Sequence, residues 1–409
     1  MKGNTFKTNR LNTLGPVKTS LLMSLGPATA LGFARFSYAL LLPAMAKSLH
    51  LNYVQAGALN VTNAAGYLIG ALSVNMVSSR YGHKRVFAFS MWSIALFLAL
   101  VGVAKIYFLI LVIRAISGYF GALIFISGGA LLADHFHKTN EDRKRTSLSL
   151  GLYYGGAGVG TALSGLGIPY LLAVAGDSNW AFGWYVLAVL SLVSLIATSF
   201  ALRELSNPES RSVANATEVV PTKITTIWLS TLSYGFFGAG YISFMTFIVA
   251  FFHAKGRGVV FISVFYAILG GASFISAPLW SRPLSRLKGG LGLATTYLVV
   301  SVGSILPILS SGVISSSFSG LLFGLGLMAS STAYTKIAQR NLSPSSITKA
   351  LGIATAAMAF GQITGPLITG TISDKYGVAL GMAVSTAILV LATLIAVLQT
   401  DTNIQSSHS

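Results

Sequence analysis

Long apolar segments recur along the whole chain, separated by short polar intervals. Twelve of them predict helices, and each is long enough for the roughly 18–20 residues that cross a bilayer core. We place them at about 18–45, 52–79, 85–104, 106–134, 146–173, 179–203, 225–252, 258–281, 290–311, 313–340, 348–373 and 377–399. No stretch alternates as barrel strands do. The first segment is followed at once by further spans, so we expect a retained helix and not a cleaved signal peptide.

The longest polar interval divides the chain into two parts of similar length. It begins at Glu204, contains Asn207-Pro208-Glu209-Ser210 and continues with Ser, Thr, Asn and Lys, as a linker does. The predicted organisation is an N-terminal tail over 1–17, a six-helix bundle over 18–203, a linker over 204–224, a second bundle over 225–399 and a tail over 400–409.

The two parts resemble each other at a separation of about 200 residues. Gly160-Thr161-Ala162-Leu163-Ser164-Gly165 in helix 5 corresponds to Gly365-Pro366-Leu367-Ile368-Thr369-Gly370 in helix 11. Glycine is common in membrane helices for close packing, so the coincidence with the linker and the loop charges carries the argument. We predict an all-α membrane protein with twelve spans in two pseudo-symmetric six-helix bundles that face each other.

Composition agrees, and the charge distribution predicts the orientation. Only 9% of the residues are charged, 54% are hydrophobic and the mean hydropathy is +0.73, far from a water-facing surface. With the N-terminus inside, twenty of the 27 basic residues fall in cytoplasmic segments and five on the other face. This asymmetry follows the positive-inside rule and places both termini in the cytoplasm of a bacterial inner membrane. The net charge of +18 is therefore a topology signal, and nucleic acid is not an expected partner.

The inventory of reactive side chains argues against an enzyme. The chain has no cysteine, and its histidines and nine carboxylates lie near predicted helix ends or in loops. His135 and His137 stand beside Asp134, but a spacing of two places the histidines on different helix faces. We expect no catalytic residues, no metal site and no cofactor. A membrane sensor or scaffold stays an alternative, although no soluble domain accompanies the helices.

Two motifs resemble the major facilitator superfamily of transporters. They are Ser79-Arg80-Tyr81-Gly82-His83-Lys84-Arg85 after helix 2 and Arg114-Ala115-Ile116-Ser117-Gly118 in helix 4. The resemblance implies alternating access, with the first motif as a cytoplasmic latch. That motif normally has Asp where this chain has Ser79, which puts the acidic latch in doubt. The implied gating residues are Arg80, Gly82, Lys84, Arg85, Gly118, Gly160, Gly165 and Pro366.

A narrower resemblance is to the YbfB/YjiJ-like branch of that superfamily. It rests on Gly32-Phe33-Ala34-Arg35-Phe36-Ser37-Tyr38, on Asn63-Ala64-Ala65-Gly66-Tyr67-Leu68 and on Gly361-Gln362-Ile363-Thr364-Gly365-Pro366. These matches span nearly the whole chain. The branch does not define a substrate, so the resemblance implies the architecture and leaves the cargo open.

Two arginines lie inside predicted spans, where each charge costs about 3 kcal/mol or more to insert. The resemblance places helices 1 and 4, which carry Arg35 and Arg114, beside a central cavity. A planar fork of donors suits a carboxylate or phosphate, so both are candidates for binding an anion. Packing of Arg114 against backbone carbonyls of helix 1 is the simpler alternative. Tyr38, one turn from Arg35, and Tyr241, at matching depth on helix 7, are candidate partners or wall aromatics.

Further polar residues complete the candidate site. Asn63 and Gln362 need partners inside lipid, and Tyr153 supplies another hydroxyl; helix-to-helix hydrogen bonds would explain each equally well. No carboxylate is predicted in the hydrocarbon centre. Coupling could then use protonation of the substrate, exchange of anions, or Asp134 at the inner mouth.

The sequence therefore predicts a monomeric secondary transporter that moves a small organic anion, with a proton as a candidate coupled ion. A proton-coupled exporter of drugs or metabolites is the alternative within transport, and the missing buried acid argues against it.

Overall fold

The twelve predicted helices are present with nearly the expected bounds. A computed structural model describes residues 15–138, 143–207, 223–310 and 312–401. Most of both predicted tails and of the predicted linker lies outside these residues. The helices are α1 Pro16–Ser48, α2 Tyr53–Tyr81, α3 His83–Val103, α4 Tyr107–Lys138, α5 Arg143–Ala175, α6 Ala181–Glu204, α7 Trp228–Ala254, α8 Val259–Trp280, α9 Leu291–Leu309, α10 Val313–Asn341, α11 Pro344–Tyr376 and α12 Val378–Val397.

Eleven helices in the described ranges are long and apolar enough to cross a membrane. The twelfth long helix, α2, is absent from that set because Gln, Asn and Ser side chains lower its hydropathy. It is flanked by α4 in its own half and by α11 in the other half. An amide-bearing helix is tolerated there because neighbouring helices accept hydrogen bonds from the NH₂ groups of Asn60 and Asn63.

The same packing scheme occurs twice. In the first half α2 packs on α4, α3 packs on both α4 and α6, and α1 packs on α5. In the second half α8 packs on α10, α9 packs on both α10 and α12, and α7 packs on α11. Adding six to the helix numbers of each pair in the first half gives the corresponding pair in the second half. The arrangement is the repeat that the glycine patterns predicted.

The halves meet through two helix pairs that the repeat relates to each other, α5 with α8 and α2 with α11. A third contact joins the last part of α1, Tyr38–Ser48, to α7. We call the end with the loops after α2 and α8 the basic end, because it carries Lys84, Arg282 and Lys288. The α1–α7 contact lies toward the other end, which we call the opposite end. The halves are therefore closed against each other there.

The sequence predicted helix α1 as one regular span, but the structure shows that it is not a continuous α-helix. Residues Ala28–Phe36 form wider π-type turns, and the Ser37 N–H bonds the Gly32 carbonyl five residues back at 3.0 Å. Such turns are rare and often mark functional sites. They change the angular register of the residues that follow, so α-helical spacing does not hold across Arg35.

Close glycine packing joins α2 to α4. A Cβ on Gly118 would lie 2.0 Å from the Asn63 carbonyl oxygen, whereas a Cβ on Gly167 meets nothing within 4 Å. We expect Gly118→Ala to cost about 1–3 kcal/mol, because the helices must separate. Gly167→Ala should be neutral or slightly stabilising. Thermal unfolding of the two purified variants tests this, and equal melting temperatures would contradict the packing.

Candidate functional site

A buried arginine joins the two halves at the centre of the molecule. Arg35 on α1 is 3% exposed, and its Nη2 donates to Gln362 Oε1 on α11 at 2.7 Å. Gln362 Nε2 in turn donates to the Tyr241 hydroxyl on α7 at 2.7 Å. The guanidinium carbon lies 5.7 Å from the centre of the Tyr67 ring on α2. Three predicted site residues, Arg35, Tyr241 and Gln362, thus form one network.

The directions of these bonds follow from the chemistry of arginine. A guanidinium has no acceptor, so the oxygen of the Gln362 amide must face Arg35 and its NH₂ group must face Tyr241. The Tyr241 oxygen is then an acceptor, and its proton has no acceptor among the described residues. Arg35 Nε is buried and has no hydrogen-bond partner among the described residues. The network therefore has two donors without a partner there, Arg35 Nε and the Tyr241 hydroxyl proton.

The network lies near the middle of the spans. Arg35 is thirteen residues from Ser48, and Tyr67 is fourteen from Tyr53. Gln362 is twelve residues from Asp374 at the opposite end of α11. At 1.5 Å per residue these distances are about 18 to 21 Å. For Arg35 this is deeper than the predicted end of helix 1 at residue 45 implied. The charge is thus held at the depth where an uncompensated cation is most costly.

Arg114 has other contacts. It is fully buried, donates through Nη1 to the Ala34 carbonyl and through Nε to the Leu59 carbonyl at 3.2 Å. Its guanidinium carbon lies 4.9 Å from the Tyr38 ring centre and 5.5 Å from that of Trp184. This is the backbone packing that the sequence left as the simpler alternative. The structure does not bring Arg114 into the Arg35 network.

Tyr38, predicted one turn from Arg35 on the same face, has its contacts with Arg114 and the α2 backbone and not with the Arg35 network. Its ring packs under Arg114, and its hydroxyl donates to the Ala56 carbonyl at 2.7 Å. The reason is the wide-turn segment of α1, since α-helical spacing assumed a regular helix up to Tyr38.

Asn63 and Tyr153 make helix-to-helix contacts within the first half. Asn63 Nδ2 donates to the Arg114 carbonyl at 3.1 Å and to Ser117 Oγ at 3.2 Å. The Tyr153 hydroxyl donates to the Ile124 carbonyl at 2.9 Å, and the residue is fully buried. Neither reaches the Arg35 network through a hydrogen bond.

Two further links join the halves, one on the opposite-end side of the network and one at the opposite end itself. Asn60 Nδ2 donates to Thr246 Oγ1 at 2.7 Å. At the end itself, the Asp374 carboxylate accepts from the N–H groups of Tyr53 at 2.7 Å and Val54 at 3.0 Å. Asn60 lies seven residues before Tyr67 and therefore on the same face of α2. No sequence signal singled out Asp374.

The predicted gating residues lie in two places. Gly82 has a φ of +80°, and the N–H of Lys84 donates to Asn207 Oδ1 at 2.9 Å, so the first residues of the predicted linker cap α3. Arg80 stacks on Tyr81, and Arg85 is exposed. Ser79 Oγ donates back to the Met76 carbonyl in its own helix at 2.9 Å.

The other gating candidates lie at helix crossings. A Cβ on Gly165 would lie 2.2 Å from Tyr266 in the other half, and the Pro366 carbonyl lies close to Gly57 across the α2–α11 contact. Gly160 packs instead on Ala28 in its own half. At the basic end, the Asp134 carboxylate lies near the His83 imidazole, and its negative charge favours the protonated form of that ring. No cluster of metal-ligating side chains occurs in the part of the chain that the structure describes.

Twelve spans, a two-fold repeat and a polar network between the halves define a major facilitator transporter. The chain belongs to the family described as the uncharacterised MFS-type transporter YbfB, whose model matches residues 27–397. No curated protein matches the sequence.

Solved structures agree in fold. The nucleoside transporter NupG has a TM-score of 0.71 at 13% identity, with 94% of this chain and 98% of that chain covered. A bacterial homologue of the human lysosomal transporter Spinster, in an inward-facing and unoccupied conformation, has a TM-score of 0.66 at 15% identity over 94% and 97%. At these identities the likeness shows the fold alone.

Proposed function

We propose that this transporter moves a small organic anion across the cell membrane by alternating access, and that Arg35 binds the anionic group. Gln362 holds the guanidinium, and Tyr241 holds Gln362 and offers its own proton. Arg114, Tyr38, Asn63 and Tyr153 support the first half around this site. The proposal makes the protein a carrier and not an enzyme.

The observation that carries the proposal is the balance of charge around Arg35. All carboxylates in the described ranges belong to residues at helix ends or in terminal and loop segments: Asp134, Asp177, Glu204, Asp374 and Asp401. The centre therefore has a buried cation, spare donors and an amide. A carboxylate or phosphate complements that set, while an organic cation is repelled.

The positions of the basic end and of the closed opposite end also support a proposal for which side of the membrane the carrier faces. If the basic end is cytoplasmic, as the positive-inside rule favours, the contacts at the opposite end close the extracellular side. The carrier is then inward-facing, with Arg35 approached from the cytoplasm. We propose the two six-helix halves as the moving bodies, with Asp134 beside His83 as the candidate proton-coupling residue.

A thermal-shift screen of the purified carrier tests the charge preference. We expect small acids such as butyrate, benzoate or phosphate to raise the melting temperature, and tetraphenylphosphonium and ethidium to leave it unchanged. Binding at a hundred times Kd adds about 2.7 kcal/mol to the free energy of unfolding, which is measurable.

The Arg35→Gln variant is the control, because its amide can still bond Gln362 while the charge is gone. It should lose the shift produced by acids. Stabilisation by a cation in the absence of any effect of acids would contradict the proposal and favour drug export.

A further inference from the structure

A second polar atom near the site, Asn60 Oδ1, has no partner among the described residues. Asn60 on α2 is 3% exposed and Thr246 on α7 is 1% exposed. Thr246 Oγ1 donates to the Ile242 carbonyl at 2.6 Å and accepts from Asn60 Nδ2 at 2.7 Å. The NH₂ group of Asn60 thus faces Thr246. Asn60 Oδ1 is buried and has no hydrogen-bond partner among the described residues.

An unpaired buried acceptor is costly, and native structures keep few of them without a reason. The position of Asn60 supplies one. Thr246 is five residues beyond Tyr241 on α7, which places the Asn60 pair about 7.5 Å nearer the opposite end along the helix axis. Asn60 and Tyr67 are also seven residues apart, so they follow the same face of α2. Asn60 therefore lies at the contact between the halves, on the opposite-end side of Arg35.

The unmatched atoms at the two levels are complementary in polarity. Arg35 Nε and the Tyr241 hydroxyl are donors, and Asn60 Oδ1 is an acceptor. A solute with an anionic group at one end and a hydrogen-bond donor several bonds away would match both. We propose that Asn60 determines specificity by selecting organic acids that carry a hydroxyl or amino group remote from the carboxylate. This inference rests on the proposed function and narrows its substrate class.

The contact forms when the halves separate at the opposite end. Thr246 then moves away with α7, and the amide of Asn60 faces the path between the halves. In the closed arrangement of this structure, the same amide holds the halves together. Asn60 thus uses Nδ2 to bond Thr246 in the closed arrangement and Oδ1 to accept from the solute when the halves separate.

Matched acids test the inference on the purified full-length carrier. Butyrate is compared with 4-hydroxybutyrate and 4-aminobutyrate, and benzoate with 4-hydroxybenzoate, by Kd values from thermal-shift titrations. We expect at least one donor-bearing acid to bind about tenfold or more tighter than its parent. In Asn60→Leu that ratio should fall below about twofold, with binding of the parent acid kept.

Thr246→Val is the matched control, because it removes the bond between the halves but leaves Asn60 Oδ1 in place. It should keep the preference for donor-bearing acids. If Asn60→Leu does not fold, Asn60→Ala replaces it. Equal binding of parent and donor-bearing acids by the unmodified carrier would overturn the inference and leave the anion proposal intact. So would a variant at position 60 that still prefers the donor-bearing acids. Parent acids that bind Arg35→Gln as well as the unmodified carrier would overturn the proposed function instead.

Discussion

Replacing Arg35 with glutamine or alanine is expected to reduce transport at least about 100-fold while the protein stays folded and inserted. Hydrogen bonds to a charged group contribute about 1.5–3 kcal/mol each, so losing two of them in the bound state accounts for this factor. The glutamine variant keeps a donor for Gln362, so the network that joins the halves retains one link. The measurement is uptake into proteoliposomes of the acid that gives the largest thermal shift.

Arg203→Gln is the matched control, since it also removes one positive charge but from an exposed side chain at the basic end of α6. Its transport should stay near that of the unmodified carrier. Arg114→Gln should behave differently from both, because its contacts are backbone carbonyls and ring faces, and its main effect should be a lower melting temperature. Transport by Arg35→Ala at an unchanged rate would remove Arg35 from the binding site.

Replacing Asp374 with alanine is expected to open the opposite end. The first turn of α2 has four N–H groups without partners inside the helix. Asn52 and Gln55 satisfy two of the local groups through a reciprocal cap, and Asp374 from the other half takes those of Tyr53 and Val54. These bonds are exposed, so we expect a shift of about 1–2 kcal/mol, or roughly tenfold in the open population.

The absence of cysteine makes the measurement direct. A single cysteine at Ala250, which is 8% exposed and one turn beyond Thr246 on α7, reports on the closed end. Its reaction with a maleimide should be about tenfold faster in Asp374→Ala. Asp401→Ala is the matched control, because that carboxylate also accepts two bonds, from Gly289 at 2.7 Å and Asn341 at 3.0 Å, but within one half. Equal labelling rates in all three proteins would show that Asp374 does not hold the end closed.

The fold was predictable because lipid imposes a strict rule on the sequence. A backbone without water must satisfy its own hydrogen bonds, so long apolar segments become helices, and their bounds agree with the structure to within a few residues. The repeat was visible because close helix packing requires glycine at corresponding positions, as at Gly160 and Gly365. The superfamily and the branch followed from motifs distributed over the chain, and the family match confirms both.

The candidate site was only partly predictable. Arg35, Gln362 and Tyr241 were found because each polar group stands out in an apolar helix and needs a partner. Sequence reasoning could not decide which partner each would take. It kept Arg114 as a second candidate for the anion beside packing on backbone carbonyls, whereas the structure holds Arg114 by backbone carbonyls and Arg35 by a side chain of the opposite half.

By itself, the sequence determined that the protein spans a membrane twelve times in two related halves and places a cation at mid-depth, because apolar length, charge asymmetry and the cost of a buried charge are local properties of the chain. The tertiary structure decided which arginine lies between the halves, that Tyr38 turns away from it, and that Asp374 caps a helix of the other half. These contacts join residues up to 327 positions apart, and their directions depend on the wide turns of α1 and on how the helices pack. No periodicity along the chain carries that information.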